Sequence, residues 1–382
     1  MKTKIITTFI LLTTLLSCGE RNNQPTGDII TINVTANFSH RALILQDFMN
    51  VEYIILEDAD DFLTQGVVLD VGNEIIIVRN NIRDGNMYLF DRNGAALRVI
   101  NRMGQGPGEY SNLGAVVLDE ENGEIFVIDS RRILVYDLYG NYSRSFPIQA
   151  GWNFPSFRNF DSEHLIGRGA SMSADVNFPF AIISKKDGSV VNEIPIYFEQ
   201  GIEPMVSGEG IMLFLHSVIP STITPYQNGF ILTEIASDTL FKISPDSGKE
   251  PFIVRTPPIH SMGVKEFLLP IFFTDRYYFM EIARKEIRQV PGFFPRTQLV
   301  YDREQGAVFR YTLYNGDFYP KMEINPAFIS AINSEIVFRK RLEAYQLIEA
   351  NERGELRGRL QEVAEKLHED SNPVIMLVTH RR

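Results

Sequence analysis

From about residue 51 onward, hydrophobic residues occur in short runs of β type, separated by polar turn residues. Two of these runs share one pattern at an offset of 49 to 50 residues: VVLDVGNEIIIV (Val67 to Val78) and VVLDEENGEIFVI (Val116 to Ile128). Each predicts a strand, a polar turn and a second strand. A further hairpin follows each run, MYLFDRNG (Met87 to Gly94) and ILVYDLYG (Ile133 to Gly140), 46 residues apart. The chain is therefore predicted to repeat one four-stranded unit.

Later segments repeat the second hairpin more loosely: AIISKKDG (Ala181 to Gly188), DTLFKISPDSG (Asp238 to Gly248) and LVYDREQG (Leu299 to Gly306). The turn glycines at 94, 140, 188, 248 and 306 are spaced 46, 48, 60 and 58 residues apart. A four-stranded unit every 40 to 50 residues or so is typical of a β-propeller. The sequence therefore predicts an all-β fold with one blade per repeat.

One more blade is predicted from the two ends of this region. Strand patterns occupy Asn50 to Asp58 and Asn372 to His380. Pairing them would close the ring and remove open sheet edges. We therefore expect a six-bladed β-propeller over residues 50–382, while the stretch from Phe198 to Tyr226 leaves room for a degenerate seventh blade.

A helical insertion is predicted at about 327–370, before the closing strand 372–380. Asn325-Pro326 has the form of an N-cap followed by Pro at the first helical position. Hydrophobic residues then recur at roughly helical spacing, at Phe338, Leu342, Tyr345, Ile348, Leu356, Leu360, Val363 and Leu367. The cluster Arg339-Lys340-Arg341 is expected on the solvated face of a helix packed on the propeller. The alternative is an arm that docks a partner.

A glycine-rich loop precedes the second blade, with Gly104, Gly106, Pro107, Gly108 and Glu109 in the sequence GQGPGEY. A phosphate cradle would need a helix N-terminus directly after the loop, but a strand pattern follows Tyr110. We therefore interpret it as a tight turn between blades, where Gly permits positive φ and Pro fixes its own φ. Glu109 is expected to accept hydrogen bonds from loop amides or to pair with Arg102.

The N-terminus has the layout of a secretory signal. Lys2 and Lys4 precede an apolar run from Ile5 to Leu16, which ends in Leu15-Leu16-Ser17-Cys18. This ending resembles the lipobox of bacterial lipoproteins, which implies a signal peptide over 1–17 and acylation (palmitate among the acyl chains) of Cys18. The alternative is a chance cysteine after an ordinary signal peptide. Residues 18–49 are then predicted to form a lipidated N-terminus and tether, since Glu20 to Asp28 is polar and contains Pro and Gly.

Taken together, these motifs resemble a known family. The segment from Arg102 to Tyr142 looks like an NHL-type repeat, and the lipobox, GQGPGEY and the terminal DSNPVIMLV strand are similar to those of six-bladed β-propeller lipoproteins of Gram-negative bacteria. The resemblance covers most of the mature chain, although Asp370-Ser371-Asn372-Pro373 departs from the family's usual two acidic residues before Asn-Pro. It implies a cell-envelope address. Gly19 after the cysteine implies sorting to the outer membrane, facing either the periplasm or the outside.

Composition narrows the functional classes. The 382 residues include 37 basic and 48 acidic side chains, a net charge of −11, and removal of Lys2 and Lys4 would make it −13. This acidity argues against nucleic-acid binding, which needs a basic face. Because Cys18 is the only cysteine, a disulfide-stapled domain and a Cys-rich metal site are excluded.

No catalytic or metal-binding motif is present, and no cofactor is predicted. The six histidines are scattered without an HExxH pattern, and no G-x-S-x-G occurs. Several aspartates recur at equivalent strand ends or turns, which indicates a structural role such as Asx-type turn bonding: Asp70, Asp91, Asp119, Asp129, Asp137 and Asp302. Other polar residues break the repeat and are candidate channel or face residues: Arg79, His164, Arg168, Glu234, Asp275 and Arg276.

Two functional hypotheses follow. The first is a lipid-anchored binding or scaffold protein for a protein, peptide or glycan partner, and it is favoured over the second. Aromatic residues of the third quarter are expected mostly in the core, with a few exposed ones as anchors: Phe267, Phe272, Phe273, Tyr277, Tyr278, Phe279, Phe293 and Phe294. The second is a hydrolase or lyase with a divalent cation held at the propeller axis by Glu, Asp and Asn.

Overall fold

A computed structural model describes the chain over residues 29–81, 84–129, 132–148, 156–169, 180–203, 205–208, 211–214, 222–286, 294–325, 329 and 331–381. The signal segment 1–17, Cys18 and the polar stretch up to Asp28 lie outside the described residues, as do Phe293 and Pro326.

Strands dominate the described residues. In chain order they are β1 Ile30–Asn33, β2 His40–Ile44, β3 Met49–Ile55, β4 Val67–Val71, β5 Ile75–Arg79, β6 Asn86–Asp91, β7 Ala96–Asn101, β8 Ala115–Asp119, β9 Glu124–Asp129, β10 Arg132–Asp137, β11 Tyr142–Pro147, β12 Ser156–Asn159, β13 His164–Arg168, β14 Phe180–Ser184, β15 Val190–Ile194, β16 Met205–Gly208, β17 Ile211–Phe214, β18 Ile223–Tyr226, β19 Gly229–Leu232, β20 Thr239–Ser244, β21 Gly248–Thr256, β22 Glu266–Phe273, β23 Tyr277–Arg284, β24 Arg296–Asp302, β25 Ala307–Asn315, β26 Met322–Ile324, β27 Ile336–Leu342 and β28 Val374–His380. Three α-helices accompany them: α1 Leu45–Phe48, α2 Ala344–Glu352 and α3 Gly358–Ala364.

The strands form a six-bladed β-propeller, as predicted. Blades 1, 2 and 3 are the antiparallel sheets β4–β7, β8–β11 and β12–β15, and blades 4 and 5 are built on β18–β21 and β22–β25. Blade 6 contains β27, β28 and β3. A hydrophobic cluster fills each junction between neighbouring blades, because both faces of a blade are apolar.

The ring closes as the sequence predicts. In blade 6, β28 pairs antiparallel with β3, with Val374 opposite Ile55 and His380 opposite Met49. The glycines at 94, 140, 188, 248 and 306 all have positive φ, between 60° and 90°, which confirms the repeated tight turn. The stretch from Phe198 to Tyr226 contains a two-stranded sheet, β16 with β17, and then the first strand of blade 4; the fold has six blades.

The N-terminal segment departs from the prediction of a tether up to residue 49. β1 pairs in parallel with β21 of blade 4, β2 pairs in parallel with β25 of blade 5, and β3 belongs to blade 6. Residues 30–55 therefore cover the outer edge of three consecutive blades. The propeller begins near Ile30 rather than at residue 50, since these short strands find partners more than 200 residues away.

The predicted helical insertion is shorter than expected. Helices occupy 344–352 and 358–364, but Ile336–Leu342 is strand β27, so the expectation of a helix from about 327 is wrong for this part. Phe338 and Leu342 satisfy a spacing of four, yet the strand alternates sides in steps of two, with Phe338 buried and Arg339 half-buried. The helices pack on blades 5 and 6 through Leu347 and Leu360. None of the helices in the described part of the chain is long and apolar enough to cross a membrane.

The loop Gly104 to Tyr110 joins blades 1 and 2 and is followed by strand β8, in agreement with the interpretation as a turn between blades. The expected positive φ is wrong for Gly104, Gly106 and Gly108; glycine is needed at 104 and 108 because a Cβ there would overlap Glu109 and Tyr142. Gly106 N–H donates to Glu109 Oε2 (2.8 Å), as expected for Glu109. Tyr110 is fully buried, and its hydroxyl donates to Gly85 O (2.6 Å). The loop is thus held by its own side chains.

Candidate functional site

A cavity with a volume of about 510 Å³ lies at the propeller axis. It opens on the face where the innermost strands turn into the second strands, which we call the inner-turn face (residues 72–74, 120–123, 160–163, 227–228 and 333–335). Side chains from blades 1, 2, 3, 4 and 6 line it. Such a site exists only when the ring is closed, because its walls are far apart in sequence.

Three charged side chains reach this cavity: Asp70 and Arg158 from the innermost strands β4 and β12, and Arg339 from β27 of blade 6, which follows the inner turn 333–335. In the described part of blade 6, β27 is the strand that contacts the innermost strands β4 and β22 of blades 1 and 5. All three residues are half-buried and lie within strands rather than at turns. Their positions are fixed by backbone pairing, which favours a preorganised site.

Asp70 is held by backbone amides. Val71 N–H donates to Oδ1 (2.9 Å) and Leu118 N–H donates to Oδ2 (2.8 Å), which ties blade 1 to blade 2. Burial raises the pKa of Asp70, an effect opposed by these amides and by the positive charges of Arg158 and Arg339. Asp70 therefore differs from the repeated aspartates that bond within turns.

The two arginines each donate to one neighbouring carbonyl oxygen. Arg158 Nη1 donates to Phe157 O (2.9 Å) and Arg339 Nη2 donates to Val68 O (2.8 Å). Burial lowers the pKa of Arg158, and it lowers the pKa of Arg339 to about 10, so both remain charged at neutral pH. The Arg158 Nε–H is buried without a hydrogen-bond partner.

Other polar groups of the cavity wall are engaged within the fold. Asn159 Nδ2 donates to Leu118 O (2.6 Å) and Asn333 Nδ2 donates to Val71 O (2.9 Å), so both amides bridge neighbouring blades. Glu120 accepts backbone N–H groups of Asn73, Glu74 and Ile75. These contacts fix the shape of the cavity and leave the arginines as its available charged donors.

None of the six candidate channel or face residues predicted from the sequence lines the axial cavity. Arg168 pairs with Glu234 (3.1 Å), which joins blades 3 and 4, and His164 Nδ1 lies 2.8 Å from Asp161 Oδ1. Arg79 Nη1 donates to Asn80 O (3.0 Å).

The remaining two candidate residues, Asp275 and Arg276, lie in blade 5. Arg276 pairs with Asp302 (3.1 Å). Asp275 is exposed beside a second cavity of about 260 Å³ between blades 4, 5 and 6, on the same face.

Sequence reasoning missed the three axial residues. Asp70 was grouped with the turn aspartates, and Arg339 was assigned to a solvated helix face. The signal that identifies them is a charged residue within a strand, alone in VVLDV and SFRNF and followed by two more basic residues in IVFRKRL. The aromatic residues of the third quarter, expected mostly in the core, are all buried where described, including Phe267, Tyr278 and Phe294, so the core expectation is confirmed and none of those described is an exposed anchor.

The axial residues do not suit a divalent cation. Two guanidinium groups stand beside the one carboxylate of Asp70, and like charge repels a metal ion. In the described part of the chain, no group of three or more His, Cys, Asp or Glu side chains is placed to hold a metal ion. The donor set favours an anionic group instead.

One solved structure supports the fold, and two others match more weakly. A Bacteroides fragilis protein described as exported matches 93% of this chain and 100% of its own length, with 14% identity and a TM-score of 0.59. The WD40 domain of Neurospora crassa Pan2 covers 69% of this chain and 75% of its own, at 10% identity and a TM-score of 0.36. The extracellular domain of a one-component system from B. thetaiotaomicron covers 68% of this chain and 29% of its own, at 14% identity and a TM-score of 0.34.

No curated protein matches the sequence. A domain family does: residues 29–379 match DUF4934, described as a domain of unknown function. This match spans every blade, from the first N-terminal strand to the closing strand. The chain therefore belongs to the DUF4934 family.

Proposed function

We propose that this protein is a cell-envelope binding protein that takes up its ligand in the axial cavity. The observation that carries the proposal is the cavity itself, about 510 Å³ in volume and walled by five blades around Asp70, Arg158 and Arg339. Its volume is within the range of small-molecule sites, roughly 300–1,000 Å³. A peptide end or a short glycan would fit these dimensions.

The proposed localisation in the cell envelope is based on the N-terminal sequence. The lipobox-like Leu15-Leu16-Ser17-Cys18 supports acylation of Cys18 and sorting to the outer membrane, and the B. fragilis relative is described as exported. Residues 19–29 would span at most roughly 40 Å when extended. Because β1 lies on the outer edge of blade 4, the anchor would hold that side of the propeller close to the membrane.

Binding is tested with two tryptophan variants. Ser334 is exposed on the cavity wall, and Leu63 is exposed outside both cavities. We expect Ser334→Trp to obstruct the cavity and weaken binding of peptides or oligosaccharides identified in a ligand screen, while Leu63→Trp binds as the wild type does. Equal binding by both variants would contradict the proposed site.

Anchoring is tested separately. Cells expressing the full chain should incorporate labelled palmitate, and the protein should sediment with outer membranes. Cys18→Ser should remove both the label and the sedimentation. If the Cys18→Ser chain still sediments with membranes, the lipoprotein proposal fails whatever the outcome of the binding experiment.

A further inference from the structure

The axial cavity contains two cationic side chains without an anionic partner. Among the described residues, neither Arg158 nor Arg339 forms an ion pair, and each uses one guanidinium N–H on a carbonyl oxygen. A guanidinium has five N–H donors. Most of their hydrogen-bonding capacity is therefore unused inside the fold.

Three other cations, in blades 2 and 3, are paired with carboxylates. Lys185 binds Asp119 (2.6 Å), Arg168 binds Glu234 (3.1 Å), and Arg144 donates to both carboxylate oxygens of Glu124 (2.5 and 2.8 Å). Because removing a charge from water without a partner costs free energy, folded proteins rarely keep one unless it has a use. Arg158 and Arg339 differ from these three cations, because both face the axial cavity and neither forms an ion pair among the described residues.

Asp70 does not act as a hydrogen-bonded anionic partner of the two arginines. Both of its carboxylate oxygens accept backbone N–H groups, from Val71 and Leu118. It lowers the charge of the cavity without occupying the donors of the arginines. These three side chains together have a net charge of one positive unit, while the cavity wall also contains Lys185 and five further carboxylates: Asp119, Glu120, Glu121, Asp161 and Glu335.

The remaining carboxylates limit what can bind. Glu121 is exposed and Glu335 half-buried at the cavity wall, and both would repel a ligand with two negative charges. A carboxylate carries one negative charge and matches the planar guanidinium fork, whereas a phosphate monoester carries about −1.5 to −2 at neutral pH.

We propose that Arg158 and Arg339 together bind the carboxylate group of a small ligand in the axial cavity. This inference rests on the proposed function and names its ligand chemistry. The carboxylate would bridge blades 3 and 6 and accept hydrogen bonds that the fold leaves unmade. An acidic sugar and a peptide C-terminus share this group.

The experiment measures binding of matched probes by isothermal titration calorimetry at low salt. D-glucuronate is compared with D-glucose, and trialanine is compared with its C-terminal amide, so the two arms separate an acidic sugar from a peptide end. Glucose 6-phosphate tests the preference for a single charge. We expect at least one carboxylate probe to bind at least roughly ten-fold more tightly than its uncharged partner, since a charge-assisted hydrogen bond contributes about this much.

Single-residue variants test whether Arg158 and Arg339 bind the carboxylate. Arg339→Gln and Arg158→Gln should each lower the affinity for the carboxylate probe by at least roughly ten-fold. Arg341→Gln is the matched control on the same strand, because Arg341 pairs with Glu343 (2.7 Å) and does not line the cavity. Asp70→Asn should tighten binding, since it removes the competing negative charge. Arg339→Lys retains the charge and should bind with intermediate affinity, which keeps the test valid if a glutamine variant is poorly folded.

The outcomes separate this inference from the proposed function. Carboxylate and uncharged probes that bind equally, tighter binding of glucose 6-phosphate, or no binding of any carboxylate probe at millimolar concentration would overturn the arginine site. In those cases a neutral ligand that Ser334→Trp excludes would leave the proposed function standing. If Ser334→Trp changes the binding of no ligand, the cavity is not the binding site and both proposals fail.

Discussion

Lys185 Nζ lies 2.6 Å from Asp119 Oδ2, and the two side chains are only 6% and 5% exposed. Asp119 ends the innermost strand of blade 2, while Lys185 follows β14 of blade 3, so the ion pair joins two blades beside the axial cavity. Lys185 Nζ also donates to Asp161 O (2.7 Å). The ammonium group therefore links polar groups of blades 2 and 3.

Removing Lys185 should destabilise the propeller. Lys185→Met leaves the Asp119 carboxylate buried without its cation, which costs about 3–5 kcal/mol in the free energy of unfolding. Urea unfolding followed by tryptophan fluorescence measures the change. The matched control is Lys186→Met at the exposed neighbouring position, which should alter stability by less than about 0.5 kcal/mol. An unchanged midpoint for Lys185→Met would show that the buried pair does not stabilise the junction.

Asn372 should be as important for ring closure. Its Nδ2 donates to Glu57 O (2.8 Å) and Phe62 O (2.9 Å), and its Oδ1 accepts Thr64 N–H (2.8 Å). The side chain is 3% exposed and links the closing strand to the segment that enters blade 1. Asn372→Ala would leave buried carbonyl and amide groups unpaired, so we expect a loss of about 2–4 kcal/mol. Ser371→Ala, one residue earlier, should cost much less, and equal losses would contradict this assignment.

The comparison of sequence and structure shows what a repeat pattern can predict. The turn glycines and the Asp91 and Asp137 turns follow the repeat, because each blade folds with the same local hydrogen bonds; Asp91 Oδ1 accepts Asn93 and Ala95 N–H groups, for example. Fold class, closure and core aromatics were predictable for the same reason. The site was not, since the placement of Arg158 and Arg339 depends on which strands close around the axis. The parallel strands β1 and β2 were missed because their partners are distant in sequence.

The strand β1 should protect an edge of the sheet. Ile32 and Val34 are buried in the cluster between blades 4 and 5, and β1 covers the outer strand β21. A chain that starts at Thr35 would lose this burial and expose β21. We expect a loss of several kcal/mol, at about 1.5–3 kcal/mol per buried large aliphatic side chain, together with aggregation through the open edge. Thermal melting and light scattering check this, with a chain that starts at Ile29 as the control; equal melting temperatures would refute it.

Buried tyrosines should make the protein sensitive to alkaline pH. Burial raises the pKa of Tyr110 to about 12 and raises that of four other tyrosines further above the ordinary value of 10.0: Tyr53, Tyr136, Tyr278 and Tyr311. Above pH 10 the unfolded chain releases these protons and the folded chain retains them, so stability falls as pH rises, by up to about 1.4 kcal/mol per tyrosine and pH unit.

Burial lowers the pKa of Arg339 to about 10 and also lowers the pKa of Arg158, Arg255, Lys249, Lys285 and Lys340, and these cations act in the opposite direction. The pKa of each of Tyr53, Tyr136 and Tyr278 shifts further than that of Arg339, so the tyrosines dominate. We therefore expect cooperative unfolding between about pH 10 and 12, with tyrosine ionisation at 295 nm coincident with the loss of circular dichroism. Tyrosines that ionise gradually near pH 10 in a folded protein would contradict the burial of their hydroxyl groups. Tyr345→Phe serves as a control, because Tyr345 is 52% exposed and should not affect the transition.

Arg339 should reduce stability while it serves binding. Its pKa is lowered from 12.5 to about 10 on folding, so at any pH below about 10 the folded state carries the cost of a buried guanidinium, and this cost disappears only as pH rises from 10 toward 12.5. Arg339→Met removes the charge at similar volume but also removes the hydrogen bond to Val68 O. The net expectation at pH 7 is a gain of about 1–2 kcal/mol in the free energy of unfolding. Guanidinium unfolding of Arg339→Met beside Arg341→Met measures it. A residue kept only for structure would instead show a loss, and a destabilised Arg339→Met with unchanged carboxylate affinity would assign Arg339 to the fold rather than to the ligand.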